Sequence, residues 1–598
     1  MEELTFDLLV VGAGGAGLMA CFHALDREPG LKVGLVAKGL VGKGGCTRMV
    51  QGGFNAVLSP RDSIELHFRD TLEGGAFLND QELAWILVGR APEVIRELET
   101  RFGCLFDRNP DGSLHQKAFA GQSVDRTVHR GDLTGIEIVS RLRDALFGVP
   151  VTLLEEQRAI ELLRGPGGEA AGAVLLGLRS GEFTVARSKC VVMATGGAAT
   201  MYRLATPSLE KSGDGVALSV RAGLECVDME MMQFHPTGIL AGRTCLTGMI
   251  LEEGLRGAGA QLFNGAGERF MERYDSVRME RATRDLVARA SFLEIQAGRG
   301  SPGGGVWLDA TSIGAVEVAR SFPGMVERMA LLGRDLTREP IEVTPTSHFH
   351  MGGLRIDGAC RTAIPGLLVA GEDAGGVHGA NRLGGNGVAE STVFGAVAGE
   401  TAAAYCRENE MPAFNRAVAE ESATRAARFL RGGATPYPLR RRLNELMWEK
   451  GGLVRDVEGL ATAAAELQEL SAELETVGVP GGRAYNPGWQ EALNLESLLT
   501  VAPLIVASAA VREESRGSHF RSDFPRRDDD QWLRRVIVRQ IDGELEVRLE
   551  PVEFSRMRPE PSVPGTPSLS LPARGRDRQE TGTPLPDPPP QGGREMQA

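Results

Sequence analysis

Two side chains that can bind an anion flank one glycine-rich part of the chain. His348 precedes a short apolar run, Leu367–Ala370, and Arg382 lies after that run, within the stretch His378–Gly387. Glycines carry no Cβ, so the backbone amides of this stretch can approach a flat ligand closely. A helix is predicted to begin near Gly387, and its N-terminus would direct a partial positive charge toward the same place. The pattern therefore predicts a site for an anion beside a flat ligand.

A second set of residues has the chemistry needed to move a proton. Glu253 and Arg256 are three residues apart, so one helical turn would place them on the same face. Arg284 is early in a predicted helix, beside Asp285, and His235 precedes a proline. Taken singly, the charged pairs are more typical of solvent-exposed helix faces, and the histidine could be a turn residue. Only their occurrence together with further motifs favours a shared chemical role.

The first forty residues have the pattern of a dinucleotide-binding unit. Phe6–Val11 is an apolar strand, Gly12–Gly17 has the spacing G-x-G-x-x-G and opens a helix, and Lys32–Ala37 is a second strand. This order of strand, glycine turn, helix and strand is the context in which the motif binds a pyrophosphate. In such units the second strand often ends in an acid that binds the ribose, whereas Lys38 follows here. The pattern predicts a bound dinucleotide without assigning the nucleotide.

Two further apolar strands end in glycine-containing turns. Cys190–Ala194 is followed by Thr195–Gly197, and Leu367–Ala370 is followed by a glycine and Glu372. Together with Phe6–Val11, these strands predict one doubly wound sheet whose ligand lies over the strand ends.

The rest of the chain departs from this strand pattern. The segment from about 234 to 343 interrupts it, and such an insertion into a nucleotide domain usually folds as a lid over the cleft. Helical spacing from about 411 to 515 predicts a helical domain, and 523–552 is a small terminal unit. The proline-rich end is predicted to be disordered.

Composition and charge exclude several classes of protein. The 598-residue chain has a net charge of −13, which argues against nucleic acid as a partner. Its eight cysteines include no C-x-x-C pair, so no metal site, whether zinc or iron–sulfur, is predicted. The first strand begins by Phe6, which leaves no room for a signal peptide, and no apolar run approaches the roughly 20 residues of a membrane span. We therefore expect a soluble, cytoplasmic protein.

In combination, the motifs resemble those of the flavoprotein subunits of succinate dehydrogenase and fumarate reductase, and of their relative L-aspartate oxidase. The similarity extends from about Phe6 to Pro551. It is carried by Gly12–Gly17, Gln51–Gly53, Thr195–Gly197, Gln233–Gly238, Glu253–Gly257, Ala282–Arg289, His348–Gly353 and Ala380–Gly385. It implies an α/β fold, with an FAD-binding doubly wound Rossmann-like domain and an inserted capping domain, followed by a helical domain and a small C-terminal domain. The implied boundaries are 1–233 and 345–407 for the FAD-binding domain, 234–344 for the capping domain, 408–522 for the helical domain, 523–560 for the C-terminal domain and 561–598 for a disordered tail.

The resemblance also implies roles for individual residues. Interconversion of succinate and fumarate moves a hydride between a substrate carbon and the flavin, and a proton at the neighbouring carbon. The proton donor of the family corresponds to Arg284, supplied through Glu253 and Arg256. The implied substrate-binding residues are Phe119, Gln233, His235, Glu252, His348 and Arg382. The implied FAD-binding residues are Gly12, Ala13, Gly14, Gly15, Ala16, Gly17, Lys38, Gly45, Cys46, Thr47, Gln51, Gly52, Gly53, Thr195, Gly196, Asp214, Glu372, Arg382, Gly387 and Val388.

Two positions depart from the family pattern. Where the dehydrogenase subunits carry a histidine bonded covalently to FAD, this chain has Cys46, which implies that FAD is held non-covalently. Where the family has a threonine before its glutamate, this chain has Glu252. An anion there would repel a dicarboxylate by roughly 4 kcal/mol at 4 Å and an effective dielectric constant of 20. Glu252 must therefore turn away, be protonated, or face a cation such as a substrate ammonium, which would favour aspartate.

Two functions are consistent with these residues. The first is the flavoprotein subunit of a succinate dehydrogenase or fumarate reductase, which would exchange electrons with an iron–sulfur partner, with or without a membrane anchor. Arg527–Leu533 and the strands after them favour it. The alternative is L-aspartate oxidase, which converts aspartate to iminoaspartate for NAD synthesis. The first function implies a cytoplasmic enzyme that is peripheral on the membrane where its partner subunits anchor it.

Overall fold

A computed structural model describes residues 1–560, and the predicted disordered tail, 561–598, lies outside the described residues. Within residues 1–560 the chain forms eighteen strands and sixteen α-helices. The strands are β1 (Glu2–Val11), β2 (Val33–Ala37), β3 (Phe54–Asn55), β4 (Gln116–Lys117), β5 (Thr127–Val128), β6 (Val151–Glu155), β7 (Gln157–Arg164), β8 (Ala170–Gly177), β9 (Phe183–Met193), β10 (Cys226–Val227), β11 (Met232–Ile239), β12 (Gln261–Phe263), β13 (Val306–Asp309), β14 (Ile341–His350), β15 (Gly353–Leu354), β16 (Leu367–Val369), β17 (Arg534–Ile541) and β18 (Glu544–Pro551). The helices are α1 (Gly15–Arg27), α2 (Ile64–Gly74), α3 (Gln81–Thr100), α4 (Thr134–Leu146), α5 (Asp214–Arg221), α6 (Gly254–Ala258), α7 (Met271–Tyr274), α8 (Arg284–Glu294), α9 (Ala315–Ser321), α10 (Pro323–Ala330), α11 (Asn386–Glu408), α12 (Arg416–Ala427), α13 (Pro436–Glu449), α14 (Val457–Leu474), α15 (Pro487–Val511) and α16 (Asp529–Trp532).

Three strands bring their carboxyl ends to one edge of the central sheet. The strand order of this seven-stranded sheet is β6-β2-β1-β9-β8-β7, and β16 also pairs with β9. Strand β1 runs parallel to β9 with Val11 opposite Met193, and β16 runs parallel to β9 with Val369 opposite Met193. The glycine turns that follow these strands therefore meet at one place. The α/β fold with a doubly wound sheet, expected from the sequence, is confirmed.

Helices α1 and α11 begin beside these turns and cross closely because small residues line their contact. A Cβ on Gly395 would lie 2.4 Å from the carbonyl oxygen of Ala16, and one on Gly399 would lie 2.3 Å from that of Ala20. Side chains at these glycines would push the helices apart. The crossing holds both helix N-termini, with their partial positive charges, at the carboxyl edge of the sheet.

The chain between β10 and β15 forms a second sheet of order β11-β14-β13-β12. This segment has a hydrophobic core of its own, with fully buried side chains that include Leu262, Val287, Val306 and Met325. Strands β11 and β14 are antiparallel, and their register shifts after His235. Such an irregularity re-aims side chains and is common next to ligand sites. The predicted boundaries of this segment, 234–344, stay predictions, as do those of the other domains.

The segment after α11 contains a long apolar helix, α15, whose apolar character the sequence analysis did not recognise. Helix α15 spans 25 residues, with a mean hydropathy of 1.6 over its most apolar 18-residue window. By length and composition it could cross a membrane, so the expectation that no segment was long and apolar enough was wrong. In this fold 67% of that window is buried, and Trp489 at its start donates a hydrogen bond to the carbonyl of Ala426. Its apolar residues therefore belong to the core.

The C-terminal strands pair with the first part of the chain. Strands β17 and β18 complete a four-stranded sheet of order β15-β10-β17-β18. Nearby, the fully buried Arg512 donates to Glu230 at 2.6 Å and to Glu514 at 3.1 Å. Both carboxylates must stay in place, since an unpaired buried charge is strongly destabilising. These contacts join the end of the described chain to the segment that precedes β11.

Candidate active site

A cavity of about 640 Å³ lies where the turns after β1, β9 and β16 face strands β11 and β14. Of the residues predicted to bind FAD, those on the cavity wall are Gly12, Ala13, Gly14, Gly15, Ala16, Lys38, Gly45, Cys46, Thr47, Gln51, Gly52, Gly53, Thr195, Gly196, Asp214, Glu372, Arg382, Gly387 and Val388. Gly17 lies behind the wall, where a Cβ would be 1.8 Å from the carbonyl oxygen of Gly12. Gly17 thus allows the helix to pack on the strand.

The first turn fits the pyrophosphate of a dinucleotide. Gly12 has a φ of +117°, and a Cβ there would lie 2.0 Å from the carbonyl oxygen of Ala194, so only glycine suits this position. The first turn of α1 contains no acidic residue, and the backbone N–H of Gly15 donates to Thr47 Oγ1 at 3.0 Å. A close backbone approach at an uncompensated helix N-terminus is an anion-binding arrangement. This half of the cavity therefore fits FAD.

Lys38 and Asp214, both predicted to contact FAD, bind each other. The Lys38 amine lies 2.9 Å from Asp214 Oδ2 and also donates to Asn494 Oδ1 at 3.0 Å. Arg158 donates to the other Asp214 oxygen at 2.7 Å. Burial alone would raise the pKa of Asp214, but these two cations outweigh it and hold that pKa low. An internally neutralised ion pair thus occupies the position where such units often have a ribose-binding acid.

A buried lysine that the sequence analysis missed lies beside Cys46. Lys211 forms an ion pair with Glu372, whose Oε1 also accepts the backbone N–H of His350 at 2.9 Å. Burial raises the pKa of the Cys46 thiol, although the charge of Lys211 opposes this shift. The thiol is therefore protonated at neutral pH and is a poor nucleophile.

We expect FAD to leave the protein completely when the protein is denatured, because Cys46 replaces the linking histidine and its thiol is protonated. The measurement is flavin fluorescence of the protein band on a denaturing gel, together with the flavin absorbance of the acid-soluble fraction. A fluorescent band would contradict the expectation. Loss of that band in Cys46→Ser would then identify a cysteinyl link.

Two imidazoles that were predicted to bind substrate face each other from β11 and β14. The ring centroids of His235 and His348 are 5.4 Å apart. Nδ1 of His235 accepts the backbone N–H of Thr237 at 3.3 Å, so its Nε2 carries the proton and can donate to a ligand. Nδ1 of His348 lies 2.8 Å from Thr206 Oγ1. Burial, reinforced by nearby arginines, lowers the pKa of both rings well below the usual value. Both are neutral at pH 7.

The three residues predicted to move a proton form one continuous chain. Arg284 directs Nε and Nη2 at Glu253 Oε2, at 2.7 Å and 2.5 Å. Arg256 Nη2 lies 3.2 Å from the other oxygen, Glu253 Oε1, and Arg256 Nη1 donates to the carbonyl of Glu280 at 2.5 Å. Burial alone would raise the pKa of Glu253, but the two guanidinium groups outweigh it and hold it below its usual value. A carboxylate thus lies between two cations.

Gln233, predicted to bind substrate, lies behind the cavity wall and is fully buried. Its Oε1 accepts from Arg284 Nη1 at 3.2 Å and from Arg382 Nη2 at 3.1 Å. Its Nε2 donates to Asn381 Oδ1 at 2.9 Å and to the carbonyl of Arg382 at 2.7 Å. One amide therefore positions both guanidinium groups and makes no contact with the cavity.

Glu252 faces a cation, and the protein itself supplies it. Glu252 Oε1 forms an ion pair with Lys117, whose amine also lies 5.7 Å from the ring centroid of Phe119. Glu252 and Phe119 are both on the cavity wall. Burial raises the pKa of Glu252 although Lys117 opposes it. Of the three arrangements that the sequence allows for Glu252, the structure shows a cationic neighbour, which is not a substrate ammonium.

Several residues of the site were missed in the sequence. Lys117, Thr206 and Lys211 meet their partners only through the fold, and no spacing in the sequence points to them. Asp373 could have been found, because it directly follows the predicted Glu372. It accepts the backbone N–H of Gly196 at 3.1 Å, and burial raises its pKa to about 7. This carboxyl fixes the turn after β9.

Comparison with known proteins agrees with this geometry. The FAD binding domain family matches residues 7–388, and the fumarate reductase flavoprotein C-terminal family matches residues 440–564. One of the subunits of the CoM/CoB fumarate reductase of Methanothermobacter marburgensis is 40% identical over 89% of this chain and 96% of that protein. The 8-methylmenaquinol:fumarate reductase flavoprotein subunit of Wolinella succinogenes is 34% identical over 89% of this chain and 88% of that protein.

A solved structure gives the same result for the fold. The E. coli quinol fumarate reductase structure superposes with a TM-score of 0.89 at 32% identity, covering 94% of this chain and 99% of that chain. The matched FAD binding domain includes every residue predicted to bind FAD. The chain therefore belongs to the family of fumarate reductase and succinate dehydrogenase flavoprotein subunits.

Proposed function

We propose that this chain is the flavoprotein subunit of a fumarate reductase or succinate dehydrogenase and interconverts fumarate and succinate with bound FAD. The observation that supports this most directly is the guanidinium of Arg382 on the cavity wall. Gln233 holds its Nη2, while its buried Nε has no hydrogen-bond partner within residues 1–560. A carboxylate matches the fork of such a planar donor group.

The proposed binding mode uses both ends of a dicarboxylate. Arg382 holds one carboxylate, and His235 and His348 donate to the substrate from the neighbouring wall. Since both imidazoles are neutral, the net positive charge of the site comes from Arg284 and Arg382, partly offset by Glu253. Fixing the substrate between these groups orients its reacting carbons, and orientation of this kind can lower a barrier by roughly 7–11 kcal/mol.

FAD, when bound, supplies the hydride chemistry at one substrate carbon. We assign the proton at the neighbouring carbon to Arg284. An arginine has a pKa above roughly 12 and cannot act as a free base. Its proton must therefore be replaced as it leaves, and Glu253 with Arg256 behind it forms the path in contact with Arg284. The roles of these residues rest on their contacts and on the family resemblance.

The proposal includes partner subunits. The M. marburgensis and W. succinogenes relatives are themselves named as subunits, which supports a complex in which this chain holds the flavin. We propose that the electron partner is an iron–sulfur subunit, because the chain has no cysteine spacing for a cluster of its own. The complex would be cytoplasmic, and peripheral on the membrane where a further component of the complex anchors it.

L-Aspartate oxidase is the less favoured alternative. A substrate ammonium would need an anionic partner in the cavity, and Glu252 already pairs with Lys117. The relatives described above are all named for fumarate reductase.

The deciding experiment is turnover of the purified, FAD-loaded protein with artificial electron carriers. We expect oxidation of a reduced viologen by fumarate and reduction of a dye by succinate, with no dye reduction by aspartate. Dye reduction by aspartate at a rate equal to that with succinate would favour the alternative. Activity with none of the three compounds would contradict both functions.

A further inference from the structure

A buried lysine on the cavity wall takes no part in the reaction proposed above. Lys211 is only 4% exposed and lies just before helix α5. Its backbone N–H donates to the carbonyl of Ser208 at 3.0 Å, and its own carbonyl accepts from Thr200 Oγ1 at 2.6 Å. Its aliphatic stem passes Gly196, where a Cβ would lie 3.5 Å from Lys211 Cε. These contacts hold the side chain beside the turn that follows β9.

The ammonium of Lys211 lies close to the residues proposed to bind substrate. Its Nζ is 5.8 Å from the ring centroid of Phe349, and the guanidinium of Arg382 lies 4.4 Å from the same centroid. Phe349 directly follows His348 in β14 and is also on the cavity wall. A flavin that exchanges a hydride with a substrate held here must bring its ring to this part of the cavity. Lys211 is therefore a neighbour of the ring.

The side chain of Lys211 carries a positive charge. Its Nζ forms an ion pair with Glu372, whose other oxygen accepts the backbone N–H of His350 at 2.9 Å. Burial alone would lower the pKa of Lys211, but the contacts with Cys46 and Glu372 outweigh it and hold that pKa above its usual value. A well-packed apolar pair is often as stable as a buried ion pair, so stability alone does not account for this charge.

A positive charge at this place has a specific effect on flavin chemistry. Reduction of FAD by two electrons and one proton leaves a negative charge on the ring, and nearby protein charges change how readily the flavin accepts electrons. The attraction between opposite charges is stronger in a buried site than at the protein surface, where water screens it. An ammonium on the cavity wall therefore favours the reduced form.

We propose that the ammonium of Lys211 stabilises the negative charge of reduced FAD and so raises the reduction potential of the bound flavin. Glu372 opposes this effect and limits it. The electrons and the proton come from the substrate or the electron partner, and Lys211 itself forms and breaks no bond. The inference rests on the proposed function for the place of the flavin ring, and it holds for either direction of the reaction.

The test is the midpoint potential of the FAD-loaded protein, measured by spectroelectrochemical titration without substrate. We expect Lys211→Met to lower the potential by about 30 mV, which is a tenfold change in the equilibrium constant of a two-electron couple. Lys211→Arg keeps the charge and should restore the wild-type value. A shift below about 10 mV in Lys211→Met, roughly twofold in that constant, would overturn the inference. So would a potential in Lys211→Arg as low as that in Lys211→Met, because it would assign the shift to packing.

A matched control separates the local charge from the net charge of the protein. Lys43 is an exposed lysine that borders the same cavity. Lys43→Met should leave the potential unchanged, because water and salt screen an exposed charge. A shift equal to that of Lys211→Met would refute the inference. Turnover of the wild type with fumarate and succinate tests the proposed function separately, so an unchanged potential leaves that function standing.

A second variant covers the case in which Lys211→Met fails to hold FAD. Glu372→Gln removes the carboxylate that opposes Lys211 and keeps a side chain of similar shape. The potential should then rise, in the direction opposite to that of Lys211→Met. A fall, or no change, would count against the inference. Flavin absorbance of each variant checks that FAD is bound.

Discussion

Replacing Arg284 by lysine is expected to lower the rate of fumarate reduction by about a thousandfold, within the range of general acid catalysis. Arg284 reaches Glu253 with two N–H groups, at 2.7 Å and 2.5 Å, and Gln233 with a third at 3.2 Å. A lysine ammonium keeps the charge but cannot make these contacts from one planar group. Fumarate affinity should change little, because Arg382 and the imidazoles provide the binding.

The measurement is steady-state kinetics with reduced viologen, combined with the Kd of fumarate for the oxidised protein. Arg289 on the same helix is a matched control, since its guanidinium lies 4.7 Å from the ring centroid of Phe520. Arg289→Lys should retain nearly full turnover. If Arg284→Lys also retains most of its turnover, Arg284 does not deliver the proton. Glu253 acting through water would then be the better candidate.

The parts of the fold that could be predicted are those encoded by local spacing. The sequence pattern of an apolar strand, a glycine turn and a helix is complete within about thirty residues, so it can be recognised locally. Phe6–Val11 with Gly12–Gly17 is such a unit. Two other strands with glycine exits, Cys190–Ala194 and Leu367–Ala370, implied one sheet with a shared ligand edge. Their parallel pairing with matched ends confirms that implication.

The parts that could not be predicted depend on contacts between distant residues. Glu252 and Lys117 are 135 residues apart, and Lys117 belongs to a strand of only two residues, which has no periodic signal. Lys38 was predicted to contact the nucleotide, yet in the structure its charge is neutralised by Asp214, the first residue of helix α5. In each case a buried charged side chain requires a partner of opposite charge, and the fold determines which residue provides it. Helix α15 shows the same limit, since its apolar length alone does not distinguish a core helix from a membrane span.

The second large effect is expected for Arg382→Lys, in which fumarate affinity and rate should fall together. Arg382 is held by Gln233 at 3.1 Å and by its stacking on Phe349, 4.4 Å from the ring centroid. Lysine has no planar guanidinium group, so it cannot offer a carboxylate two parallel N–H donors. Losing one charge-assisted hydrogen bond costs about 1.5–3 kcal/mol, which corresponds to a rise in Kd of roughly tenfold to more than a hundredfold.

The KM and kcat of Arg382→Lys distinguish this role from that of Arg284. A substrate clamp should raise KM and also lower kcat, because a loosely held substrate is misaligned for the reaction. Binding of a monocarboxylate inhibitor that retains one end of fumarate provides a further comparison. If Arg382 holds one specific carboxylate, the substitution should weaken fumarate binding more than monocarboxylate binding, since a monocarboxylate can still use the histidine side. Equal losses for both ligands would show that Arg382 contributes general positive charge, and the assignment of a specific carboxylate to its fork would be wrong.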